Sequence, residues 1–494
     1  MKRLTFICIL FYSICLYSQE NHSQLIEAFK SDSIQLLNVE ITNGDINKCY
    51  DTEHGEYTLL VLSIKTNATS IFDYLIKNDA NLDFTCFGKT PLMYAAKYGR
   101  LKMLKSLIEN GADVNMSNEN NTTVLDYVLR YNQEEIEEYL KSIGICKMYE
   151  LDGIDGPYII DDSIFTITKT NKLSRKKISV SEPIEVLVNG EDGNRFNFFI
   201  QNKHSKEIAI YSQPEKLIAI SDIEGNYEGL YSFLLNNEVI DTNCMWIFGN
   251  GHLILNGDFV DRNDHVTEVL WLIYSLENKA EECGGKVHFI LGNHEVMNIN
   301  GDIRYVYDKY VAAAKKISRN DNAKQAYKFM YSEKSEIGKW LRSKNIIEQV
   351  GDYIFVHAGL SPEIVKLNLS IEEINKACNN YFDIETDNKK KDDVSTIILD
   401  GGESLIWYRG LVMDFFNKKK VSEAELDKVL AYYGAKKIVI GHTIVDDIST
   451  DYNGKVIRID VKHGTEKNSG KTKGLLIEDG VEYKIDDLGN KEKI

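Results

Sequence analysis

Three patterns of apolar and polar residues follow one another along the chain. From residue 22 to 146, apolar residues recur at helical spacing in paired segments that end in Asn, Gly and Asp. From 147 to 215 the period shortens towards two, which predicts short strands such as Ile164–Ile167 between Gly and Asp turns. From 216 to 480, short apolar runs end again and again in polar clusters. The pattern therefore predicts an all-α region, a small β-rich connector and an α/β region.

The first twenty residues have the layout of a secretory signal peptide. Lys2 and Arg3 precede the apolar run Leu4–Leu16, and a short polar exit follows, which predicts cleavage before Gln19. The run is shorter than the roughly 18 to 20 apolar residues that span a bilayer, and no later segment approaches that length. We expect a signal peptide over residues 1–18 and a secreted or periplasmic protein. A buried N-terminal strand or helix is the alternative.

A repeat with a period near 33 residues underlies the helical region. Gly55–Leu59 aligns with Gly88–Leu92, and Tyr94 aligns with Tyr127. The best unit, which begins with Gly-Lys-Thr-Pro-Leu and closes with Asn-Gly-Ala-Asp-Val-Asn, resembles an ankyrin repeat. The resemblance implies a stack of about four units over residues 22–146. Such a stack could bind a protein partner or merely buttress its neighbour, and the sequence favours neither role.

Five predicted strands of the α/β region deliver polar side chains at their carboxyl ends. The residues that follow these strands are Asp222, Asp258, Asn293, His357 and His442. Carboxyl ends of strands build active sites on α/β sheets, so we expect these side chains to converge. Mixed oxygen and nitrogen donors without a thiolate suit Mn, Fe or Zn rather than a structural zinc cage. Two metals that share a carboxylate can clamp a phosphoryl group and ionise a water.

These residues lie in five ordered motifs, which are Asp222–Gly225, Gly257–Arg262, Gly292–Glu295, His357–Leu360 and Gly441–Thr443. The series resembles the calcineurin-like metallophosphoesterase superfamily. With Trp407–Gly410, it is most similar to the phosphoprotein phosphatases and to their bacterial, Shewanella-like branch. The resemblance implies a β-sandwich flanked by helices over residues 216–480, after an all-α ankyrin stack and a β-rich connector. Residues 481–494 are then a C-terminal tail.

The resemblance also implies which residues hold two divalent metals. Asp258 would bridge both ions, Asp222 would bind the first, and the remaining ligands would bind the second. These remaining ligands are Asn293, His357 and His442. Mn is the expected metal, with Fe, Mg or Zn as alternatives.

The same resemblance implies the roles of the other site residues. His294 would donate a proton to the leaving oxygen, and Asp261 would orient its ring. Arg262 and Arg409 would grip the phosphate, bidentate where the geometry allows, with Asn293 beside them. A metal-activated water would attack the phosphorus directly, without a covalent phosphoenzyme.

One motif departs from the family pattern. Most members have Asp-x-His in the first motif, whereas Glu224 stands here in place of the histidine ligand. Glu224 could still coordinate, and we include it among the metal ligands, in which case the harder site favours Mn or Mg over Zn. It could instead point away and leave a loosely bound first metal, or His463 could take the position. Asn263, where the family prefers Gly, is a milder departure.

Composition and charge restrict the function further. The chain has 494 residues and a formal net charge of −17, which excludes a protein that coats nucleic acid. Taken alone, the acidity would also argue against a phosphate substrate. In the proposed site, however, four acidic side chains are offset by two divalent metals and two arginines. The acidity therefore predicts that phosphate binding depends on the metals.

The cysteines indicate no metal or redox site. Six lie beyond the signal peptide, scattered and without a Cys-x-x-Cys pair: Cys49, Cys86, Cys146, Cys244, Cys283 and Cys378. Some could pair in an oxidising compartment, but the sequence does not say which.

These observations favour a secreted, metal-dependent phosphomonoesterase that acts on a phosphorylated protein or a small phosphoester. A phosphodiesterase or dinucleoside-polyphosphate hydrolase on the same fold is the alternative enzyme. Those enzymes usually keep Gly-His-x-His, whereas His442 is followed here by Thr443 and Ile444, which favours the phosphatase. A catalytically weak binding protein is the alternative from another class. Residues 302–343 are predicted to form a helical insertion near the site, with tyrosines that serve packing.

Overall fold

The structure is a computed structural model. It describes residues 25, 27–41, 45–52, 55–118, 122–131, 133–179, 182–188, 194–201, 204–378, 381–382, 394–415 and 419–494. The chain divides into two compact units, Met1–Met148 and Tyr149–Ile494. The predicted signal peptide lies outside the described residues. Within the described residues, no helix combines the length and the apolar character that a membrane crossing requires.

The first unit is a stack of helical hairpins. Its helices are α1 (Ile34–Ile41), α2 (Leu59–Thr66), α3 (Thr69–Lys77), α4 (Pro91–Lys97), α5 (Leu101–Glu109), α6 (Val124–Arg130) and α7 (Glu134–Ser142). A short β-hairpin pairs β1 (Tyr50–Thr52) with β2 (Gly55–Tyr57). The Thr90 hydroxyl accepts the Met93 N–H at 3.2 Å and Pro91 occupies the first turn, so the Thr-Pro pair starts α4 as predicted. One apolar core joins the hairpins, which confirms the repeat stack.

A disulfide joins two loops of this unit. Cys49 and Cys86 are bonded, with their Cα atoms 5.9 Å apart and a sequence separation of 37 residues. Among the described cysteines, the other four are free, and two of these are buried.

The second unit is built from strands and helices that alternate along the chain. Its strands are β3 (Asp155–Ile160), β4 (Ser163–Ile167), β5 (Leu173–Lys177), β6 (Ile184–Leu187), β7 (Arg195–Phe198), β8 (Ile210–Tyr211), β9 (Lys216–Ile220), β10 (His252–Asn256), β11 (Lys286–Ile290), β12 (Ile347–Val350), β13 (Tyr353–Val356), β14 (Lys437–Ile440), β15 (Ser449–Asp451), β16 (Val456–Arg458), β17 (Lys473–Glu478), β18 (Val481–Asp486) and β19 (Lys491–Lys493). Its helices are α8 (Tyr227–Asn236), α9 (Val266–Glu282), α10 (Asn293–Asn300), α11 (Asp308–Ser318), α12 (Ala323–Met330), α13 (Glu336–Arg342), α14 (Pro362–Val365), α15 (Ile371–Cys378), α16 (Val394–Leu399) and α17 (Glu423–Tyr433).

Two six-stranded sheets in the described part of this unit form a sandwich. Their strand orders are β11-β10-β9-β17-β18-β19 and β15-β16-β14-β13-β12-β8. Alternate residues of each strand face opposite sides of its sheet. Leu217 and Ala219 belong to the core shared with Phe355 and Val439 of the other sheet, whereas Ile218 packs in the core that includes the flanking helices. The predicted sandwich flanked by helices is confirmed.

Three segments complete the second unit. The segment predicted as a β-rich connector forms the sheet β3-β4-β5 and the pair β6-β7. It packs on α9, where the Trp271 Nε1–H donates to the Pro157 carbonyl at 2.8 Å. Residues 481–494, predicted as a tail, form β18 and β19 and extend the first sheet. The predicted helical insertion over residues 302–343 contains α11, α12 and α13.

Candidate active site

The carboxyl ends of parallel strands gather the candidate residues at one edge of the sandwich. β9, β10 and β11 run parallel in one sheet, as do β13, β14 and β16 in the other. The residues beyond these strands are Asp222, Asp258, Asn293, His357, His442 and Asp460. They meet at a cavity of about 650 Å³, which Glu224, His294, Arg262 and Arg409 also line. His357 and Asp261 are buried behind this lining and contact it: His357 Nε2 lies 3.0 Å from Asp258 Oδ2, and Asp261 Oδ2 lies 2.7 Å from His294 Nδ1. The structure therefore brings all ten predicted residues together.

Many of these residues have an unusual backbone conformation. Six of the ten predicted residues have φ between +47° and +72°, in the left-handed region that favours glycine. They are Asp222, Glu224, Asp258, Asp261, Arg262 and His442. Such strain collects at functional sites, where the surrounding structure holds it in place.

Glycines allow the loops of the site to approach one another. Gly257 has φ +88°, and a Cβ there would collide with the His357 ring. A Cβ on Gly292 would collide with the Asp258 carboxylate, and one on Gly441 with the Asp222 carboxylate. The glycines of the motifs are therefore required by contacts between the ligands, as well as by turns.

Four side chains form a cluster with the chemistry of a divalent metal site. Ligand atoms of Asp258, His357 and His442 all lie within 4.8 Å of one another. The Asn293 side-chain amide lies 2.8 Å from His442 Nδ1, 3.0 Å from His357 Nε2 and 3.2 Å from Asp258 Oδ2. His357 Nδ1–H donates to the Asn256 carbonyl at 2.9 Å, which leaves Nε2 to face the cluster. Two imidazoles, a carboxylate and an amide fit the second metal as predicted.

The first metal position is built from carboxylates. Both Asp222 oxygens face the His442 backbone N–H, at 3.2 and 3.3 Å. Burial and mutual repulsion raise the pKa of Asp222 to about 6, that of Glu224 to about 7 and that of Asp460 to about 9. Crowded carboxyl groups of this kind fit a bound cation, which relieves their repulsion.

Glu224 makes a contact that the sequence did not predict. Its Oε1 lies 2.6 Å from Arg262 Nε, so the structure pairs it with a candidate phosphate-binding residue. The backbone carbonyl of Glu224 accepts the Asn263 side-chain N–H at 2.8 Å, which gives that second departure from the family pattern a role in the loop.

His463 does not fill the position opposite Asp222. Its Nε2–H donates to the Ser221 carbonyl at 2.9 Å, and its Nδ1 accepts the Lys473 N–H at 3.4 Å. Burial lowers the pKa of His463 to about 4, consistent with a neutral ring. Because both nitrogens bond to the backbone, His463 is a structural residue of the cavity wall.

His294 and Asp261 form a buried pair at the opposite side of the cluster. His294 Nδ1–H donates to Asp261 Oδ2 at 2.7 Å, and Asn298 donates to the other oxygen at 2.8 Å. The Tyr327 hydroxyl in turn donates to Oδ1 of the Asn298 side chain at 2.5 Å. Burial opposes protonation of the ring, but Asp258 and Asp261 outweigh it and raise the pKa of His294 to about 9. These two carboxylates therefore favour the protonated ring, whose Nε2 lies 3.8 Å from Asp258 Oδ2.

The two arginines line the cavity, and different contacts hold each of them. Arg409 Nη1 donates to the His442 carbonyl at 3.2 Å and to Thr443 Oγ1 at 3.1 Å. The Arg262 guanidinium lies 5.1 Å from the centre of the Tyr305 ring, and its backbone N–H donates to the Tyr305 carbonyl. Tyr305 thus belongs to the cavity lining, whereas Tyr310 serves packing as predicted and donates to the Asp264 carbonyl at 2.7 Å.

Sequence reasoning missed residues that support or line the site. Glu295, the last residue of the third motif, accepts backbone N–H groups of Asp258, Phe259 and Gly292 at 2.9, 2.7 and 2.8 Å. Asp460 follows β16 in the same way that the predicted ligands follow their strands, and that position was the signal for it. Nothing in the local sequence marks Asn298 or Tyr305 in this way.

Comparison with known proteins agrees with the site. A family model for calcineurin-like phosphoesterases matches residues 215–446, and a model for ankyrin repeats, in three copies, matches residues 24–118. The crystal structure of the cold-active protein-tyrosine phosphatase of a psychrophile, Shewanella sp., matches with a TM-score of 0.61 at 30% identity. The match covers 69% of this chain and 99% of that one. The chain belongs to the calcineurin-like phosphoesterase family.

Curated relatives within the calcineurin-like phosphoesterases include Shewanella-like phosphatases of eukaryotes. Shewanella-like protein phosphatase 2 of Arabidopsis thaliana is 29% identical over 289 residues, which cover 51% of this chain and 72% of that protein. Shewanella-like protein phosphatase 1 of Plasmodium berghei is 30% identical over 230 residues, which cover 46% and 61%. The predicted enzyme class is confirmed: the chain is a metal-dependent phosphatase with divalent metal ions.

Proposed function

We propose that this phosphatase is a secreted phosphomonoesterase that acts on phosphorylated Ser, Thr or Tyr residues of proteins. One observation carries the proposal. His294, held by its Nδ1 bond to Asp261, faces the same cavity as a divalent-metal ligand cluster and two arginines. Phosphomonoester hydrolysis needs these three elements: a proton donor for the leaving oxygen, cations for the phosphate, and an activated water.

The residues of the cavity would have different roles in the reaction. Asp222 and Asp258 would hold the first metal, and Asp258 with the Asn293, His357 and His442 cluster the second. Two divalent ions, when bound, supply Lewis acidity that neutralises phosphate charge and activates a water. In its protonated form His294 carries a second proton on Nε2, which it can donate to the leaving oxygen, and Asp261 stabilises that form by accepting the Nδ1–H.

The cavity favours a monoester over a diester. A monoester dianion carries one more negative charge than a diester, and both Arg262 and Arg409 line the cavity to receive it. At the position where diesterases on this fold usually have a second histidine, this chain has Ile444, after a Thr443 whose hydroxyl binds Arg409. A protein substrate is supported by the solved relative, which is described as a protein-tyrosine phosphatase.

A substrate panel tests the proposal. We expect the protein, loaded with Mn²⁺, to hydrolyse p-nitrophenyl phosphate and phosphopeptides and to leave bis-p-nitrophenyl phosphate largely intact. His294→Asn should lower turnover, whereas the control His265→Asn, which lies outside the cavity lining, should not. Faster hydrolysis of the diester would establish the alternative phosphodiesterase. Full metal loading without hydrolysis of any phosphoester would establish a binding protein.

Manganese is the metal that we propose, since the ligands are carboxylates, imidazoles and an amide. Elemental analysis of the purified protein should find Mn as the main metal, and a majority of Zn would contradict the assignment.

Glu224→Gln tests whether Glu224 is a metal ligand or a partner of Arg262. Because its carboxylate lies 2.6 Å from Arg262 Nε, we expect a changed KM with unchanged metal affinity. A weaker first metal site would instead make Glu224 a ligand.

Secretion is supported by the charged start and apolar run of residues 1–18 and by the disulfide between Cys49 and Cys86. Disulfides persist in oxidising compartments and are rare in the cytosol. Residues 1–24 fused to a reporter enzyme should direct it out of the bacterial cytosol, with cleavage before Gln19. Retention of the intact fusion in the cytosol would contradict the proposal.

A further inference from the structure

A row of cations runs across three consecutive hairpins of the ankyrin unit. The first helix of each hairpin begins after Thr58, Thr90 or Thr123. Seven residues after each threonine stand Lys65, Lys97 and Arg130. In the second and third of these hairpins, tyrosines also stand four and eight positions after the threonine. They are Tyr94 and Tyr98 in the second hairpin, and Tyr127 and Tyr131 in the third. Residues separated by three or four positions share one face of a helix.

Ring and cation contacts join these residues into one surface. The Tyr57 and Tyr94 rings lie 5.9 Å apart, edge to face. The Lys97 amino group lies 5.5 Å from the centres of both the Tyr98 and Tyr131 rings, and so bridges two repeats. The Lys65 amino group lies 3.4 Å from the centre of the Tyr57 ring. We call this surface, with Lys89, the Tyr–Lys face.

Three lysines of this face have no acidic partner among the described residues. In the part of the chain that the structure describes, no carboxylate lies within 4 Å of the amino groups of Lys65, Lys89 or Lys97. Burial lowers the pKa of Lys89, and the charges of Lys97, Arg130 and Lys65 lower it further. The chain has 75 acidic against 58 basic residues, so this local excess of cations does not follow from composition.

The electrostatics of helix ends explain the positions of some of these cations, but not of Lys89. Lys65, Lys97 and Arg130 lie in the last turns of their helices, where cations are favoured. Lys89 lies just before Thr90, at the start of α4, where a cation is disfavoured. A half-buried lysine among like charges at the wrong end of a helix destabilises the free protein, and a bound anion would reverse that effect.

We propose that the Tyr–Lys face binds an extended acidic segment of a partner protein. Neighbouring helices pack about 9 Å apart. In a segment with the extended polyproline II conformation, three residues span about 9 Å and every third side chain lies on the same side. Carboxylates at every third position of the segment would therefore meet cations of successive repeats. Tyrosine and arginine are also the residue types that dominate binding energy at protein interfaces.

Single-stranded nucleic acid is the other polyanion to consider, and the tyrosines argue against it. Bases stack on exposed aromatic faces. Tyr94 and Tyr127 are buried, at 9% and 2% exposure, and each ring already stacks on the next tyrosine of its own helix. The face offers charge and ring edges to a ligand, and few free ring faces.

The test uses the full-length protein and a labelled peptide of about twelve residues with Glu at every third position. Fluorescence anisotropy should show binding that weakens from about 50 to about 300 mM NaCl. Lys89→Gln with Lys97→Gln should weaken binding by about tenfold. The control Lys102→Gln, on the exposed side of α5, should not. Hydrolysis of p-nitrophenyl phosphate by the double variant and by the control should match the parent, which separates this face from the catalytic site.

Three results would overturn the proposal. The first is no binding of the peptide by the parent protein. The second is a loss of affinity in Lys102→Gln equal to that in the double variant. The third is tighter binding of an oligothymidine than of the acidic peptide of the same length. Thermal unfolding of each variant shows that a loss of binding does not come from loss of the fold. Should the double variant unfold, Tyr131→Ala replaces it, since Tyr131 is 39% exposed and contacts Lys97.

Discussion

Replacement of Glu295 by a neutral amide should destabilise the catalytic unit because of the three backbone hydrogen bonds of its carboxylate, although burial and the Asp258 charge raise the pKa of Glu295 to about 7. It is fully buried, and its two oxygens accept three backbone N–H groups, two of them from Asp258 and Gly292 and the third from Phe259. In Glu295→Gln the single amide oxygen can keep the first two bonds. The amide NH₂ would then face the Phe259 N–H, donor against donor.

The structure sets the size of this effect. Loss of one charge-assisted hydrogen bond costs about 1.5–3 kcal/mol, and the two remaining bonds become weaker, neutral bonds. The relief of a buried charge offsets part of the loss, so we expect about 3 kcal/mol in total. In a large domain each kcal/mol lowers the unfolding midpoint by roughly 2 °C, which gives a fall of about 6 °C.

Thermal unfolding in EDTA at pH 8 measures this effect without a contribution from metal binding. Glu282→Gln is the matched control, because Glu282 lies exposed at the end of α9 and its replacement should leave the midpoint unchanged. If Glu295→Gln unfolds within 1 °C of the parent, the three hydrogen bonds do not carry the stability that we assign to them.

Three further predictions follow from other parts of the structure. Asp261→Asn should lower kcat for p-nitrophenyl phosphate by about 10²- to 10⁴-fold with little change in KM, because His294 loses its orienting carboxylate. Burial and Asp155 raise the pKa of Glu268 to about 8, so its stability contribution is present at low pH and is lost as pH rises from 4.5 towards 8. Glu268→Gln should therefore raise the unfolding midpoint at pH 9 and leave it nearly unchanged at pH 5. Cys49→Ser should destabilise the ankyrin unit by about 3–4 kcal/mol, the chain-entropy value for a 37-residue loop, measured by denaturant unfolding.

Each of these predictions has a result that contradicts it. An unchanged pH profile together with full turnover in Asp261→Asn would remove the orienting role. Equal effects of Glu268→Gln at pH 5 and pH 9 would mean that ionisation of Glu268 does not affect stability. Identical unfolding of the parent with and without a reducing agent would show that the disulfide contributes nothing.

The sequence predicted which residues gather at the cavity because these residues occur in contiguous motifs. Asp222 and His357 each follow an apolar strand within a few residues, so the local pattern reveals both the strand and the ligand. Asp460 follows β16 in the same way but belongs to no motif. Its place in the cavity depends on β16 lying beside β14, a pairing that a local pattern does not specify.

For the same reason, the sequence did not predict the contacts between loops. The pairing of Glu224 with Arg262 joins two motifs that are separated by a helix and a strand, and either residue alone suggests a different partner. The disulfide between Cys49 and Cys86 is one of the fifteen different pairs that six cysteines could form. Residues 481–494 joined the sheet because Val481–Asp486 pairs with β17, although its side chains are mostly half-buried and give a weak strand pattern.

The left-handed residues of the site affect how this protein can change in evolution. A non-glycine residue in that region costs on the order of 1 kcal/mol or more, and glycine relieves the cost. At Asp258 or His442, a change to glycine would remove a metal ligand and at the same time lower backbone strain. Loss of catalysis can therefore leave the fold as stable as before. Descendants of such a chain could keep the sandwich and the ankyrin stack as a binding protein, with no stabilising change required along the way.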